Sequence, residues 1–206
     1  MAQTETLDLA RIAQSLRRRI VTMSHRGRTP HLGSSLSCTD ILAVAYFASL
    51  RLDPANPSDP ARDRFILSKG HAAPALYAAL AERGFFPLAD LDRFNADGGV
   101  LAEHPPPNIV PGVEAATGSL GHGLPIGVGM ALAGRLQQRD FRVFVVLSDG
   151  ECNEGSVWEA AMFAAGQRLD RIIAIVDYNR WQATGRSEEI MALAPLAKKW
   201  EAFGWT

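Results

Sequence analysis

Two unbroken runs of apolar, mostly β-branched residues constrain this chain more than any other feature: Val143-Phe144-Val145-Val146-Leu147 and Ile172-Ile173-Ala174-Ile175-Val176. An alternating pattern marks a strand with one wet face, whereas a continuous run marks a strand covered on both. Between the runs, Glu154 to Arg168 is helical in character, so the three segments make a βαβ unit with parallel strands. The fold class that follows is α/β, a parallel sheet with helices on both faces. With 206 residues, 47% of them hydrophobic, the chain can bury a core as one domain, and disorder is excluded.

The other segments fill in around that unit. Leu9, Ile12, Leu16, Ile20 and Met23 recur at helical spacing from Leu7 onward, predicting an amphipathic helix that ends near Gly27. A second helix starts at Thr39-Asp40 and runs through Phe47 toward Pro54, and Pro30 to Ser35 reads as the loop between them. Phe65-Ile66-Leu67 predicts a short strand, followed by the turn Ser68 to His71 and an Ala-rich helix up to Gly84. Residues 96–119 hold Gly98-Gly99, Pro105-Pro106-Pro107, Pro111-Gly112 and Gly118, too many backbone breakers for a regular element. A loop that long is usually functional or disordered. Leu124 to Gln138 reads as a buried helix whose glycines and alanines allow close approach, and Pro195 to Phe203 as a last helix.

Charge and cysteine content exclude several function classes. The chain has 21 Lys+Arg against 22 Asp+Glu, and its only basic cluster is Arg17-Arg18-Arg19, so no nucleic-acid partner is expected. Cys38 and Cys152 are far apart, with neither zinc-site spacing nor the density of a secreted scaffold. Met1 to Glu5 shows no signal pattern, and no stretch reaches the roughly 18 apolar residues of a membrane span. A soluble cytoplasmic protein without a membrane partner is expected.

In an open parallel sheet, ligands collect beyond the carboxyl ends of the strands. The first run ends Ser148-Asp149-Gly150-Glu151 and the second Asp177-Tyr178-Asn179-Arg180-Trp181. Consecutive strand ends bring Asp149 and Asn179 to one edge, where a carboxylate, an amide oxygen and a loop carbonyl suit a hard cation such as Mg²⁺. Gly150, without a Cβ, lets backbone N–H groups approach a phosphate. Met singly, Asp149-Gly150 would be a turn and Asn179 a cap; their pairing across two strand ends favours a metal-bound diphosphate. A calcium loop fits worse, since oxygen ligands at alternate positions stop after Glu151. Taken alone, the histidines lack metal-ligand spacing and read as ordinary loop residues.

These strand ends resemble the thiamine diphosphate motif: Ser148-Asp149-Gly150 and, after 27 intervening residues, Tyr178-Asn179. The strings Asp63-Arg64-Phe65-Ile66-Leu67-Ser68-Lys69-Gly70-His71-Ala72, Pro111-Gly112-Val113-Glu114 leading into Thr117-Gly118-Ser119-Leu120-Gly121, and Glu154-Gly155-Ser156-Val157-Trp158-Glu159-Ala160 narrow the resemblance to the transketolase family, in particular the N-terminal subunits of split transketolases. The resemblance implies a thiamine diphosphate-binding fold, with residues 1–206 a single diphosphate-binding domain. It implies Asp149 and Asn179 as Mg²⁺ ligands with the Trp181 carbonyl as a third, and Gly150 facing the diphosphate. Gly118 and Leu120 would lie beside the aminopyrimidine. His31, His71 and His104 would surround the thiazolium and the substrate hydroxyls, and Glu154 would belong to the cofactor-binding residues, meeting a neighbouring subunit near the cofactor. Imidazoles suit the proton movements a ketol transfer requires near neutral pH. His25 matches no family position, and His122 stays open between a helix-start contact and a cofactor neighbour.

The sequence departs from the family pattern at Ser148, Tyr178 and Trp181, each of which leaves the ligand positions intact. Compared with the family, the chain stops before the last strand or strands of the domain, so a sheet edge should be left unprotected or covered by another chain. The glutamate that activates the cofactor belongs to a pyrimidine-binding domain. The expected partner is therefore a separate C-terminal subunit, two copies of each forming a two-fold heterotetramer, and one chain alone should not turn over. The implied activity is transfer of a two-carbon ketol unit between sugars or sugar phosphates. Alternatives are a 1-deoxyxylulose-phosphate-synthase-like transferase, a truncated non-catalytic scaffold and, more distantly, a dinucleotide-binding module, whose G-x-G-x-x-G register Gly118, Gly121 and Gly123 do not follow.

Overall fold

The computed structural model describes residues 8–206. The readings placed on Met1 to Glu5 and on Leu7 lie outside them. Helix α1 (Leu9–Gly27) is capped by Asp8, whose side chain accepts from Arg11 N; of the predicted stripe it buries Leu16, Ile20 and Met23, together with Ala13, while Leu9 and Ile12 are half-buried. Pro30 to Ser35 is not all loop: α2 (Leu32–Ser37) follows His31, which sits in the left-handed region at φ 68°. Six residues are too few for periodicity to register, and hydroxyls from Ser35, Ser37 and Thr39 bonding back to carbonyls of the preceding turn add local support. The second expected helix is α3 (Thr39–Val44), which passes into a single π-helical turn over Ala45–Ser49.

Strand β1 (Arg64–Leu67) leads through a 3₁₀ turn, Gly70–Ala72, into α4 (Ala73–Arg83). The segment 96–119 has no helix or strand, as expected. Glu114 anchors it to Arg62 and Arg64, and the Tyr77 hydroxyl donates to the Ala102 carbonyl at 3.0 Å. Helix α5 (Gly123–Leu136), β2 (Val143–Ser148), α6 (Gly155–Gly166) and β3 (Ile172–Asp177) complete the α/β unit. A hairpin of β4 (Trp181–Gln182) and β5 (Gly185–Arg186), then α7 (Ser187–Ile190) and α8 (Leu196–Ala202), end the described chain.

Among the described residues the main sheet is β1-β2-β3, all parallel, with Val143 opposite Ile172 and Ser148 opposite Asp177. Helices cover both faces. Phe65, Leu67, Phe144 and Val146 pack with α1, α3 and α4 on one side; Ile66, Val143, Val145 and Leu147 pack with α5 and α6 on the other. Close approach of α5 depends on Gly127, where a Cβ would lie 2.6 Å from Val145 Cγ2. The expectation that both apolar runs are covered holds fully for β2 only. Ile173 to Val176 of β3 are part-buried, because β3 is the sheet edge and its flank opens into an apolar groove lined by Tyr178, Leu196, Trp200 and Trp205. No helix among the described residues is long and apolar enough to cross a membrane.

At the opposite end of the sheet Asp63 ties β1 to β2. Its buried carboxylate accepts from the backbone N–H groups of Arg51 (2.9 Å) and Arg142 (2.8 Å) and pairs with both guanidinium groups. Burial alone would raise this carboxyl, but the bonds from Arg142 and Arg51 outweigh it and hold the group at about 2. Asp63→Ala strips two backbone donors of their acceptor and is expected to cost about 3 kcal/mol, with Asp63→Asn milder. Urea denaturation reads this; a loss below about 1 kcal/mol would contradict the clamp.

Candidate active site

The register that sets Ser148 opposite Asp177 carries the chain on to Asp149 and Asn179 at the same end of the sheet. Asp149 is fully buried. Its Oδ1 accepts from Gly150 N at 2.9 Å, and its Oδ2 accepts from Arg180 N at 2.9 Å and the Ser187 hydroxyl at 2.7 Å. None of the ion pairs among the described residues involves it. Asn179 Oδ1 accepts from Trp181 N at 2.9 Å, while its Nδ2 donates to the Ser37 hydroxyl at 3.3 Å. The two predicted ligands thus lie side by side, and the exposed Trp181 is held through its backbone N–H, with Arg186 over its ring 5.2 Å from the centroid.

This donor set suits a hard cation. A buried carboxylate without a cationic side chain, next to an amide oxygen and the backbone of the 179–181 loop, matches how Mg²⁺ is bound through one or two carboxylates plus phosphate oxygens. No cluster of three His, Cys, Asp or Glu occurs among the described residues, so they do not offer a softer, all-side-chain metal site. Two buried polar atoms nearby lack partners, Thr117 Oγ1 and Gln182 Nε2. The residues present therefore fit a metal-bound diphosphate.

The three expected histidines converge. His31 caps α2 and His71 lies in the turn after β1, their ring centroids 5.2 Å apart. His104 packs on Gly118, whose φ of 139° only glycine adopts readily and where a Cβ would meet His104 Cδ2 at 2.7 Å. Burial lowers His71 to about 4, helped by the positive charge of Lys69 and by His31 and His104. His71 is therefore a neutral imidazole at working pH. His25 is exposed in the last turn of α1, and His122 is a helix-start residue whose Nδ1 lies 3.0 Å from the Leu120 carbonyl. Glu154 is exposed at the start of α6. Leu120 and Gly150 are half-buried.

Sequence reasoning missed the supports of these residues. Lys69 is fully buried: its Nζ meets Asp177 Oδ2 at 2.5 Å and donates to the Ser34 carbonyl at 3.0 Å. Ser37 donates to the same Asp177 oxygen while accepting from Asn179. Glu151, also fully buried, accepts from Gly121 N (2.9 Å), Ser148 N (3.2 Å) and the Ser68 hydroxyl, locking the 118–121 loop onto the ends of β1 and β2. Burial pushes its carboxyl up, and these bonds pull it partly back. The one available signal was that polar residues directly follow buried strands.

Comparison with known proteins identifies the family. The family described as "Transketolase, thiamine diphosphate binding domain" matches residues 9–206. A "6-deoxy-6-sulfo-D-fructose transketolase subunit SqwG" from Clostridium sp. strain MSTE9 is 45% identical over 203 residues, 98% of this chain and 73% of that protein. A subunit of apulose-4-phosphate transketolase from Phocaeicola vulgatus is 42% identical, covering 98% of this chain and 71% of that one. Among solved structures, transketolase from Leishmania mexicana superposes with a TM-score of 0.91 at 27% identity, over 97% of this chain but 31% of the larger one.

A lowered imidazole has a consequence for stability. Between about 4 and the ordinary value of 6.5 the unfolded chain binds a proton at His71 that the folded chain refuses, so this residue's contribution is intact above 6.5 and declines as pH falls toward 4. The His71→Asn variant should flatten the stability profile in that window, followed by thermal unfolding at each pH. An identical slope in both proteins would contradict the neutral imidazole.

Proposed function

Because the chain belongs to the transketolase family, we propose that it is the thiamine diphosphate-binding subunit of an enzyme that moves a two-carbon ketol unit between sugars or sugar phosphates. The observation that carries the reading is the pairing of Asp149 and Asn179 at adjacent strand ends, with Gly150 beside them. When bound, thiamine diphosphate supplies the carbanion and the electron sink for carbon–carbon bond cleavage.

The chain's own residues then have distinct duties. Asp149, Asn179 Oδ1 and the Trp181 carbonyl hold Mg²⁺, and the Gly150 backbone meets the diphosphate. The backbone of Gly118 and Leu120 lies along the aminopyrimidine. His71, kept neutral by burial, can accept a hydrogen bond from a substrate hydroxyl and hold it in place, with the exposed His31 and His104 at the open side. The fixed loop and buried strand ends keep these groups in place before substrate arrives.

The relatives' designation as subunits supports a partner, which in this reading is the pyrimidine-domain subunit carrying the activating acid. Exposed Met162 and Phe163 on α6 and Ile126 on α5 support self-association about a two-fold axis, with Glu154 at the contact. The sugars in the relatives' names, a sulfonated deoxyfructose and apulose 4-phosphate, both bear an anionic group, which favours an anionic ketose as donor here. Residues 1–206 act as one diphosphate-binding domain in a cytoplasmic enzyme.

Two outcomes are expected. Asp149→Ala should weaken calorimetric binding of thiamine diphosphate with Mg²⁺ by orders of magnitude while the fold survives; equal affinity would refute the assignment. In the assembled enzyme, His71→Ala should lower kcat about a hundredfold with cofactor affinity nearly unchanged, and His25→Ala should be silent. Turnover by the purified chain without a pyrimidine-domain subunit would overturn the half-site reading.

A further inference from the structure

Gln182 takes no part in the roles above, yet it lies against the centre of the site. It pairs with Gly185 across the β4–β5 hairpin and leans over Gly150: a Cβ built on Gly150 would meet Gln182 Cγ at 2.8 Å, Cδ at 3.0 Å and Nε2 at 3.5 Å. The hairpin is held by the same contacts that fix the predicted ligands. Arg180 N and the Ser187 hydroxyl both donate to Asp149 Oδ2, Trp181 N donates to Asn179 Oδ1, and Ser187 N donates to the Arg180 carbonyl at 3.1 Å. Gln182 is therefore placed by the metal motif itself. Its Nε2 is buried and has no hydrogen-bond partner among the described residues.

An amide nitrogen only donates, and a buried donor without an acceptor is a cost the fold does not normally tolerate. The nearby Asp149 oxygens are already occupied by Gly150, Arg180 and Ser187. What the position lacks is an acceptor from outside the chain. We propose that Gln182 is a diphosphate-binding residue: its Nε2 donates to an oxygen of a metal-bound diphosphate seated against Gly150. The inference rests on the reading that thiamine diphosphate binds at these strand ends. A neutral donor suits the place, because it adds a bond to the anion without competing with the metal for Asp149.

The test is calorimetric titration of thiamine diphosphate with Mg²⁺ into the assembled enzyme, wild type against Gln182→Leu and Gln182→Glu, with thermal midpoints of the cofactor-free proteins. Gln182→Leu should weaken binding about 10- to 100-fold, the range of a hydrogen bond to a charged acceptor. Its cofactor-free midpoint should not fall, since an unpaired donor has been removed. Gln182→Glu keeps the packing on Gly150 but turns a carboxylate toward the diphosphate, so it should bind more weakly than Gln182→Leu. Affinity at the wild-type level in either variant overturns the inference and leaves the functional reading standing. A wild-type enzyme that binds no thiamine diphosphate overturns both.

Discussion

The buried ion pair between Lys69 and Asp177 is the contact on which the site depends. An ammonium taken fully out of water is tolerated only with a close counter-charge and further acceptors, and Lys69 has Asp177 Oδ2 at 2.5 Å and the Ser34 carbonyl at 3.0 Å. The pair joins three elements: the turn after β1, the end of β3 and the short helix α2. Through Ser37 it also reaches Asn179, whose amide is oriented by donating to the same hydroxyl that bonds Asp177. Removing either partner would leave a charge stranded beneath the ligand positions, a change that typically costs roughly 3–5 kcal/mol.

Charge balance at this end of the sheet points the same way. Asp149, Glu151 and Asp177 are all buried there, and Lys69 is the cationic side chain buried with them. Lys69 is committed to Asp177, and Glu151 is pushed toward its neutral form by burial. The Asp149 carboxyl is met only by backbone and hydroxyl donors, the environment in which the proposed function places a cation. His71, on the other side, is kept neutral partly by the charge of Lys69. One buried lysine therefore serves both halves of the site: it orders the predicted metal ligands and suppresses protonation of the imidazole.

The parts of the fold legible in the sequence are those with a repeating physical signature. The stripe of α1 and the unbroken apolar run of β2 identify themselves through burial, the run of β3 identifies a strand though its flank is only half-covered, and parallel pairing follows from the helix between the strands. Asp149 and Asn179 are readable because strand ends are where ligands collect. The convergence of His31, His71 and His104 is not readable from spacing; it comes through family resemblance, since their chain segments meet only in the folded molecule. Lys69, Glu151 and Gln182 escape the sequence for a related reason: polar residues in a turn look solvated until the tertiary structure buries them. Helix α2 reads as loop because its six residues owe their shape to local hydroxyl bonds and tertiary packing more than to an apolar stripe.

The central claim is that the carboxyl ends of β2 and β3 form the metal-diphosphate half of a thiamine enzyme's site. Mn²⁺ substituted for Mg²⁺, with thiamine diphosphate bound, tests it directly through paramagnetic broadening of backbone amide signals in the assembled enzyme. The account predicts that Gly150, Asn179 and Trp181 lose their signals while Arg135 and Gln138, beyond the opposite end of the sheet, keep theirs. Broadening centred on Arg135 and Gln138, or cofactor-dependent broadening that spares Gly150 and Asn179, would contradict it.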